Sequence, residues 1–263
     1  MIYVLGSTGM LGRYVTKYLN ANGLHREDFD ATQGIELTLE EHDIVINCVG
    51  ILKPYIEQVG IVDTIKINSI FPQLVSDQCK AANAKFIHIC SDCVFSGAKG
   101  QYIETDVCDA TDLYAKTKSI EPTDATIIRT SFIGEDINED SAGLLEWVKS
   151  QHTIDGYTNC YWNGVTALQL AKVIDRIIRE RIWWTGIRHI FSNTVSKYDL
   201  CNMINDAYNL NIRINRVEAE SIAGTEINGV LNRSLSTLYT IDDFDIPSLE
   251  VQLHELVSFN KYF

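Results

Sequence analysis

Apolar and polar positions follow two periods along the first half of the chain. Short apolar runs stand at 2–5 (Ile-Tyr-Val-Leu), 43–50 (Asp-Ile-Val-Ile-Asn-Cys-Val-Gly), 85–91 (Lys-Phe-Ile-His-Ile-Cys-Ser) and 125–131 (Ala-Thr-Ile-Ile-Arg-Thr-Ser). Runs this short and this continuous predict strands buried on both faces of a sheet. Between them Leu11, Val15 and Leu19 recur at helical spacing, and Ile65, Ile67, Ile70, Leu74 and Val75 predict the inner face of a long helix over 62–82. The alternation of strand and helix over about 130 residues is most economically a parallel doubly wound α/β sheet. One strand is missing from the pattern: the stretch from Asn22 to Asp30 is short and polar.

The second half is less regular. Helices are predicted at 141–150, 166–179, 196–208 and 247–259, with a short strand at 187–191. Ser196 with Asp199 three residues on reads as a capping-box-like start. The expected organisation is a nucleotide-binding domain over 1–135 and a smaller substrate-binding lobe over 136–263, interleaved with the first rather than independent.

Glycines turn this pattern into candidate chemistry. The first run breaks at Gly6, and Gly9 and Gly12 follow as the first helix opens. Strand, glycine turn and helix form the context of a Rossmann-type dinucleotide fingerprint, because glycine lets the backbone approach a pyrophosphate while the helix N-terminus offers free N–H groups. The spacing is G-x-x-G-x-x-G, and a tight turn without a ligand would use the same residues. Ligands of open α/β sheets sit beyond the carboxyl ends of the strands, which makes Cys48, Val49 and Gly50 further lining candidates. Asp28 and Asp30 lie near the distance at which an acidic residue holds the adenosine ribose.

Charge and cysteine content narrow the partners. Among 263 residues, 35 acidic against 22 basic side chains give a formal net charge of −13, which argues against nucleic-acid binding by a broad basic face. Seven cysteines, with one C-x-x-C spacing at Cys90 and Cys93 and no second pair or histidine spacing to complete a ligand set, predict reduced thiols, no metal site and a cytoplasmic compartment. No apolar run approaches the length of a membrane span.

Tyr114 and Lys118 stand four apart at the start of a predicted helix, on one face. A cation beside a phenol favours the phenolate and lowers its pKa. Ser91, at a strand end level with the glycine turn, could orient a substrate oxygen. Together the three can protonate a carbonyl oxygen while a nicotinamide delivers hydride, or run the reverse.

The order GSTGMLG at 6–12, INCVG at 46–50, SDCVFSG at 91–97, YAKTK at 114–118 and IIRTSFIG at 127–134 resembles the extended short-chain dehydrogenase/reductases, and within them the dTDP-4-dehydrorhamnose reductase group. The resemblance is strong to about residue 135 and looser beyond, where NGVTALQLAKVI at 163–174 is similar to the family's substrate-lobe segment. It implies Ser91, Tyr114 and Lys118 as the catalytic set. It implies nucleotide contacts at Ser7, Thr8, Gly9, Met10 and Leu11, with the adenine-side acid at Asp30 beside Ala31. Substrate contacts fall on Ser91, Asp92, Cys93, Phe132, Asn163 and Thr166, with Arg233 able to pair a diphosphate. The chain departs from the family in Ser91 for threonine, Cys93 for tyrosine and Phe132 for a frequent tryptophan. The implied activity is NADPH- or NADH-dependent reduction of a nucleotide-activated 4-keto-6-deoxy sugar, with a nucleotide-diphosphate sugar as the partner molecule. Arg13 or Arg26 could accept the 2′-phosphate of NADP, and both also suit solvated positions. The oligomeric state stays open, a homodimer included. Two other activities lie within the resemblance: an epimerase or dehydratase with bound NAD, and a non-catalytic NADP-binding regulatory subunit such as that of methionine adenosyltransferase.

Overall fold

In the computed structural model, which describes residues 1–137, 143–222, 225–226, 229–240 and 244–261, the chain begins inside its sheet, one strand from an edge. The first half runs β1 (Ile2–Leu5), α1 (Met10–Leu19), β2 (Asn22–Leu24), β3 (Ile44–Asn47), α2 (Ile56–Val59), α3 (Ile61–Ile65), α4 (Phe71–Ala81), β4 (Lys85–Ser91), α5 (Leu113–Lys118), β5 (Thr126–Thr130) and β6 (Phe132–Ile133). The second half runs α6 (Leu144–Lys149), β7 (Thr153–Tyr157), β8 (Cys160–Trp162), β9 (Val165–Thr166), α7 (Ala167–Glu180), β10 (Gly186–His189), β11 (Val195–Ser196) and α8 (Lys197–Tyr208). It closes with β12 (Arg213–Val217), β13 (Ser221–Ile222), β14 (Thr225–Glu226), β15 (Leu231–Asn232) and α9 (Leu249–Asn260).

Six strands form one parallel sheet in the order β10-β5-β4-β3-β1-β2. The chain leaves β1 to one side for β2 and returns on the other side for β3, so the topological switch lies between β1 and β3. A crevice opens beyond their carboxyl ends, where Gly6 and Cys48 stand. Side chains divide across the two faces with period two. Val4, Ile46, Ile87 and Ile128 pack with α1, α7 and α9, while Leu5, Val45, Phe86 and Ile127 pack with Phe71, Val75 and Phe95. The second half is bound into the first: β10 completes the sheet beside β5, and α7 packs along α1.

Three sequence expectations change. The missing strand exists as β2, three residues parallel to β1 with Tyr3 opposite Asn22 and Leu5 opposite Leu24. It is an edge strand, so it has no need of a long apolar run. The expected long helix is broken by a π-helical turn at Lys66–Ile70, where the Phe71 N–H reaches back to the Lys66 carbonyl. Pro72 lies just beyond and has no N–H to continue an α ladder. The helix expected from 141 begins at Leu144, and residues 141 and 142 lie outside the described residues.

Candidate active site

The glycine turn is built by backbone contacts. Gly6 has φ +78°, the left-handed region, and its N–H and that of Ser7 donate to the Leu24 carbonyl at 2.8 and 3.1 Å. A side chain on Gly23 would come 2.6 Å from Ser7 Cβ, so β2 presses directly on the turn. At Gly12 a Cβ would overlap the Gly6 carbonyl oxygen and lie 2.8 Å from the Gly6 carbonyl carbon. No side chain caps α1 at Gly9, and no acidic residue occupies its first turn. The helix therefore presents an uncapped positive end beside the turn. Asp30 lies on an exposed turn beyond Leu24, next to half-buried Ala31. Its carboxylate accepts the Thr32 N–H at 2.9 Å, which holds it below the usual range. Asp28 accepts the His25 N–H at 2.8 Å.

The end of β3 is held by Asn47, which is buried, accepts the Val49 N–H at 3.0 Å and lies 3.2 Å from His88 Nδ1. Val49 packs against Gly6, where a Cβ would meet Val49 Cγ2 at 3.1 Å. Gly50 is exposed, and a Cβ there would lie 3.6 Å from Lys118 Nζ. Cys48 also faces Lys118, and burial pushes its thiol up to about 12.

Ser91 closes β4 and caps a short 3-10 turn, its Oγ accepting the Cys93 N–H at 3.1 Å and lying 3.4 Å from Asp92 Oδ1. Asp112 caps α5 by accepting the Ala115 N–H at 3.1 Å, which places Tyr114 in the first turn. Tyr114 is 8% exposed and lies beside the Ser91 side chain. Lys118, 7% exposed and one turn on, donates from Nζ to the Ile89 carbonyl at 3.3 Å. Here an electrostatic expectation is corrected. Burial raises the Tyr114 pKa, with the Cys93 thiol adding to it and the Ser91 hydroxyl opposing, so the phenol stays protonated at neutral pH. Burial lowers the Lys118 pKa, opposed by Cys90, Glu121 and Cys48.

The substrate-side candidates divide. Asp92 is buried between Arg233 and Lys197, and burial raises its carboxyl above the usual range against the pull of both cations. Arg233 donates from Nε to the Phe95 carbonyl at 3.1 Å, and Cys93 shares this neighbourhood. Asn163 and Thr166 do not join them. The buried Asn163 amide is committed to Leu235, donating to its carbonyl and accepting its N–H at 2.8 Å each. Thr166 Oγ1 caps α7 by accepting the Gln169 N–H at 3.2 Å. Phe132 lies half-buried on β6, paired with β9 and packed against the core. Among the described residues no cluster of His, Cys, Asp and Glu could hold a metal ion, and no helix is long and apolar enough to cross a membrane. A groove of about 560 Å³ between α1, α7 and α9, lined in part by Tyr18, Leu168 and Phe259, contains none of the candidate residues.

Residues 1–234 match the family model described as the RmlD substrate binding domain. The chain belongs to the RmlD substrate binding domain family. Its RmlD-type fold is shared with a dTDP-4-dehydrorhamnose reductase from Clostridium acetobutylicum, at 21% identity, a TM-score of 0.77 and 99% coverage of both chains. It is shared equally with the dTDP-4-dehydrorhamnose reductase of Bacillus anthracis solved in complex with NADP, at 18% identity, a TM-score of 0.78 and 98% coverage of both chains. A curated relative, methionine adenosyltransferase 2 subunit beta of Bos taurus, is 23% identical over 246 residues, 80% of this chain and 72% of that protein.

Two further residues belong to this candidate site. Asn68 is 1% exposed inside the π turn. Its amide accepts the Ile51 N–H at 2.8 Å and donates to the Ile51 carbonyl at 3.0 Å and to Thr117 Oγ1 at 3.1 Å. With Ser69, which donates to the Thr117 carbonyl at 2.7 Å, it fixes α5 against the end of β3 and so positions Lys118. A polar pair on an apolar helix face three residues before a proline was the available signal. The other is Lys197, which follows the helix cap Ser196 and carries no motif.

Proposed function

We propose that this chain is an NAD(P)H-dependent reductase of a nucleotide-activated 4-keto-6-deoxy sugar, similar to dTDP-4-dehydrorhamnose reductase. The observation that carries the reading is the buried Tyr114 beside Ser91, with Lys118 one turn on, at the same sheet edge as the glycine turn. The solved relative with NADP supports the cofactor class.

The residues present fit a dinucleotide. Gly6 and Gly12 let β3 and α1 close tightly on the turn, where a Cβ would meet Val49 or the Gly6 backbone, and α1 offers an uncapped N-terminus there. Gly6 to Gly12 would hold the pyrophosphate. Asp30 and Ala31 would flank the adenosine side, and Cys48, Val49 and Gly50 would line the path toward Lys118. When bound, the nicotinamide supplies the hydride. Tyr114, protonated at neutral pH, donates its hydroxyl proton to the substrate carbonyl oxygen, and Ser91 Oγ orients that oxygen. Lys118, whose ammonium approaches Gly50, holds the ribose and stabilises the phenolate left on Tyr114. Asp92, Cys93 and Arg233 lie beside Ser91 to meet the sugar nucleotide, with Phe132 toward its edge.

Loss of NADPH or NADH absorbance on adding a dTDP- or UDP-4-keto-6-deoxyhexose is the test. Tyr114→Phe should cut turnover by roughly 10²- to 10⁴-fold while cofactor binding persists, the usual worth of a positioned acid. Unchanged turnover would refute the assigned role. The curated relatives favour one second reading, a cofactor-binding subunit of another enzyme. A partner that co-purifies in stoichiometric amount, with no reductase activity on any nucleotide sugar, would decide for it.

A further inference from the structure

A second set of charged side chains meets beside Ser91. Lys197 comes from the first turn of α8 and Arg233 from the segment after β15, and both face the buried carboxylate of Asp92. The antiparallel pairing of β11 with β8 sets Val195 opposite Trp162. Lys197 follows with its Nζ 5.0 Å from the Trp162 ring centroid. Among the described residues neither Lys197 nor Arg233 forms an ion pair with a carboxylate, and Arg233 commits only Nε, to the Phe95 carbonyl. The neighbouring Cys93 thiol is kept neutral by burial. Two cations thus face one carboxylate, a local excess of positive charge in a chain whose formal charge is −13. A half-buried ammonium with unused donors is costly unless an anion completes its shell, and one aromatic face offsets only part of that cost.

We infer that Lys197 and Arg233 form an anion subsite beside the catalytic hydroxyls, and that its ligand is a phosphate group of the substrate's diphosphate. The inference rests on the nucleotide-sugar reading above and adds Lys197 to it. The cations arrive from separate elements, and the tetrahedral oxygens of a phosphate can meet both.

The test is calorimetric titration of the full chain, saturated with NADPH so that the glycine turn is filled, with dTDP, thymidine, inorganic pyrophosphate and glucuronate. Lys197→Met keeps the stem on Trp162 and removes the charge; Lys197→Arg restores charge. Pyrophosphate and dTDP should bind the wild type and weaken roughly 10- to 100-fold in Lys197→Met, the worth of one charge-assisted hydrogen bond. Lys197→Arg should recover most of the loss, and NADPH affinity and Tm should hold. Wild-type affinity for both anions in Lys197→Met overturns the inference, as does a dependence on Lys197 shown by glucuronate and not by pyrophosphate. So does failure of the wild type to bind either phosphate compound, or loss of NADPH affinity and Tm along with them. The two readings separate cleanly. Lys197-dependent pyrophosphate binding without turnover of any nucleotide 4-keto sugar keeps the subsite and rejects the reductase. Turnover with KM unchanged in Lys197→Met does the opposite.

Discussion

Gly12→Ala tests whether the glycine turn is shaped by its own backbone or by what it binds. A Cβ at Gly12 would overlap the Gly6 carbonyl oxygen and lie 2.8 Å from the Gly6 carbonyl carbon and 3.0 Å from Ser7 Cα. Every one of these atoms is backbone, so no side chain can swing away. Either α1 retreats or the turn shifts. The turn cannot shift alone, because the Gly6 and Ser7 N–H groups are hydrogen-bonded to Leu24. Overpacking of this kind costs about 3 kcal/mol, the upper end of the usual range, which is roughly 6–12 °C in Tm for a chain of this size. A helix start displaced by an ångström also misplaces its N–H donors, and NADPH affinity should fall by about two orders of magnitude. Gly9→Ala is the comparison, since its nearest neighbour is the Gly6 carbonyl at 3.4 Å and its φ of −72° suits any residue. It should lose no more than about 1 kcal/mol, as a poorer cap. The assay is a pair of measurements on each variant, thermal melting and NADPH titration by fluorescence. If Gly12→Ala melts with the wild type and binds NADPH as well, the close-approach argument is wrong. If Gly9→Ala retains its stability and loses NADPH, Gly9 makes room for the ligand rather than for the chain.

Asn68→Ala should destabilise by about 3 kcal/mol, because it strands the buried N–H and carbonyl of Ile51, and should lower kcat more than it raises KM by releasing α5. A melt together with steady-state kinetics decides this, and an unaltered kcat would reduce Asn68 to a structural role. His88 and His189 are both buried with pKa values lowered first by burial, so below pH 6.5 the unfolded chain binds protons that the folded chain refuses. Stability is therefore lost as pH falls, at about 1.4 kcal/mol per pH unit for each histidine. Denaturant titrations between pH 7 and 5 should show His88→Gln with the shallower slope. Thr166→Val should cost about 1 kcal/mol as a lost helix cap and leave KM for the nucleotide sugar unchanged. A raised KM would return Thr166 to the substrate.

What could be read from the sequence, and what could not, follows from where each residue finds its partner. The four central strands were legible because a strand in the middle of a parallel sheet buries both faces, and Val4 and Leu5 do serve opposite cores. β2 was not, because it is a three-residue edge strand paired on one side only, and such a strand needs no apolar run. The cap at Ser196 was visible, since its acceptor hydroxyl and the Asp199 N–H are three residues apart. Asn68 was invisible in its role, since its partners lie 17 and 49 residues away. The i,i+4 spacing of Tyr114 and Lys118 put the two on one face, but it could not say that the ammonium would turn to the Ile89 carbonyl or that burial would raise the phenol. The segment from Asn163 to Thr166 is the opposite case. Similarity carried a sugar-facing role onto residues whose amide and hydroxyl are consumed by Leu235 and by the first turn of α7. Backbone donors and acceptors of the chain itself already occupy the Asn163 amide and the Thr166 hydroxyl. The groups left over are therefore the better guide to substrate: the Tyr114 hydroxyl, the Arg233 guanidinium beyond its Nε and the Lys197 ammonium all converge on Ser91 and Asp92.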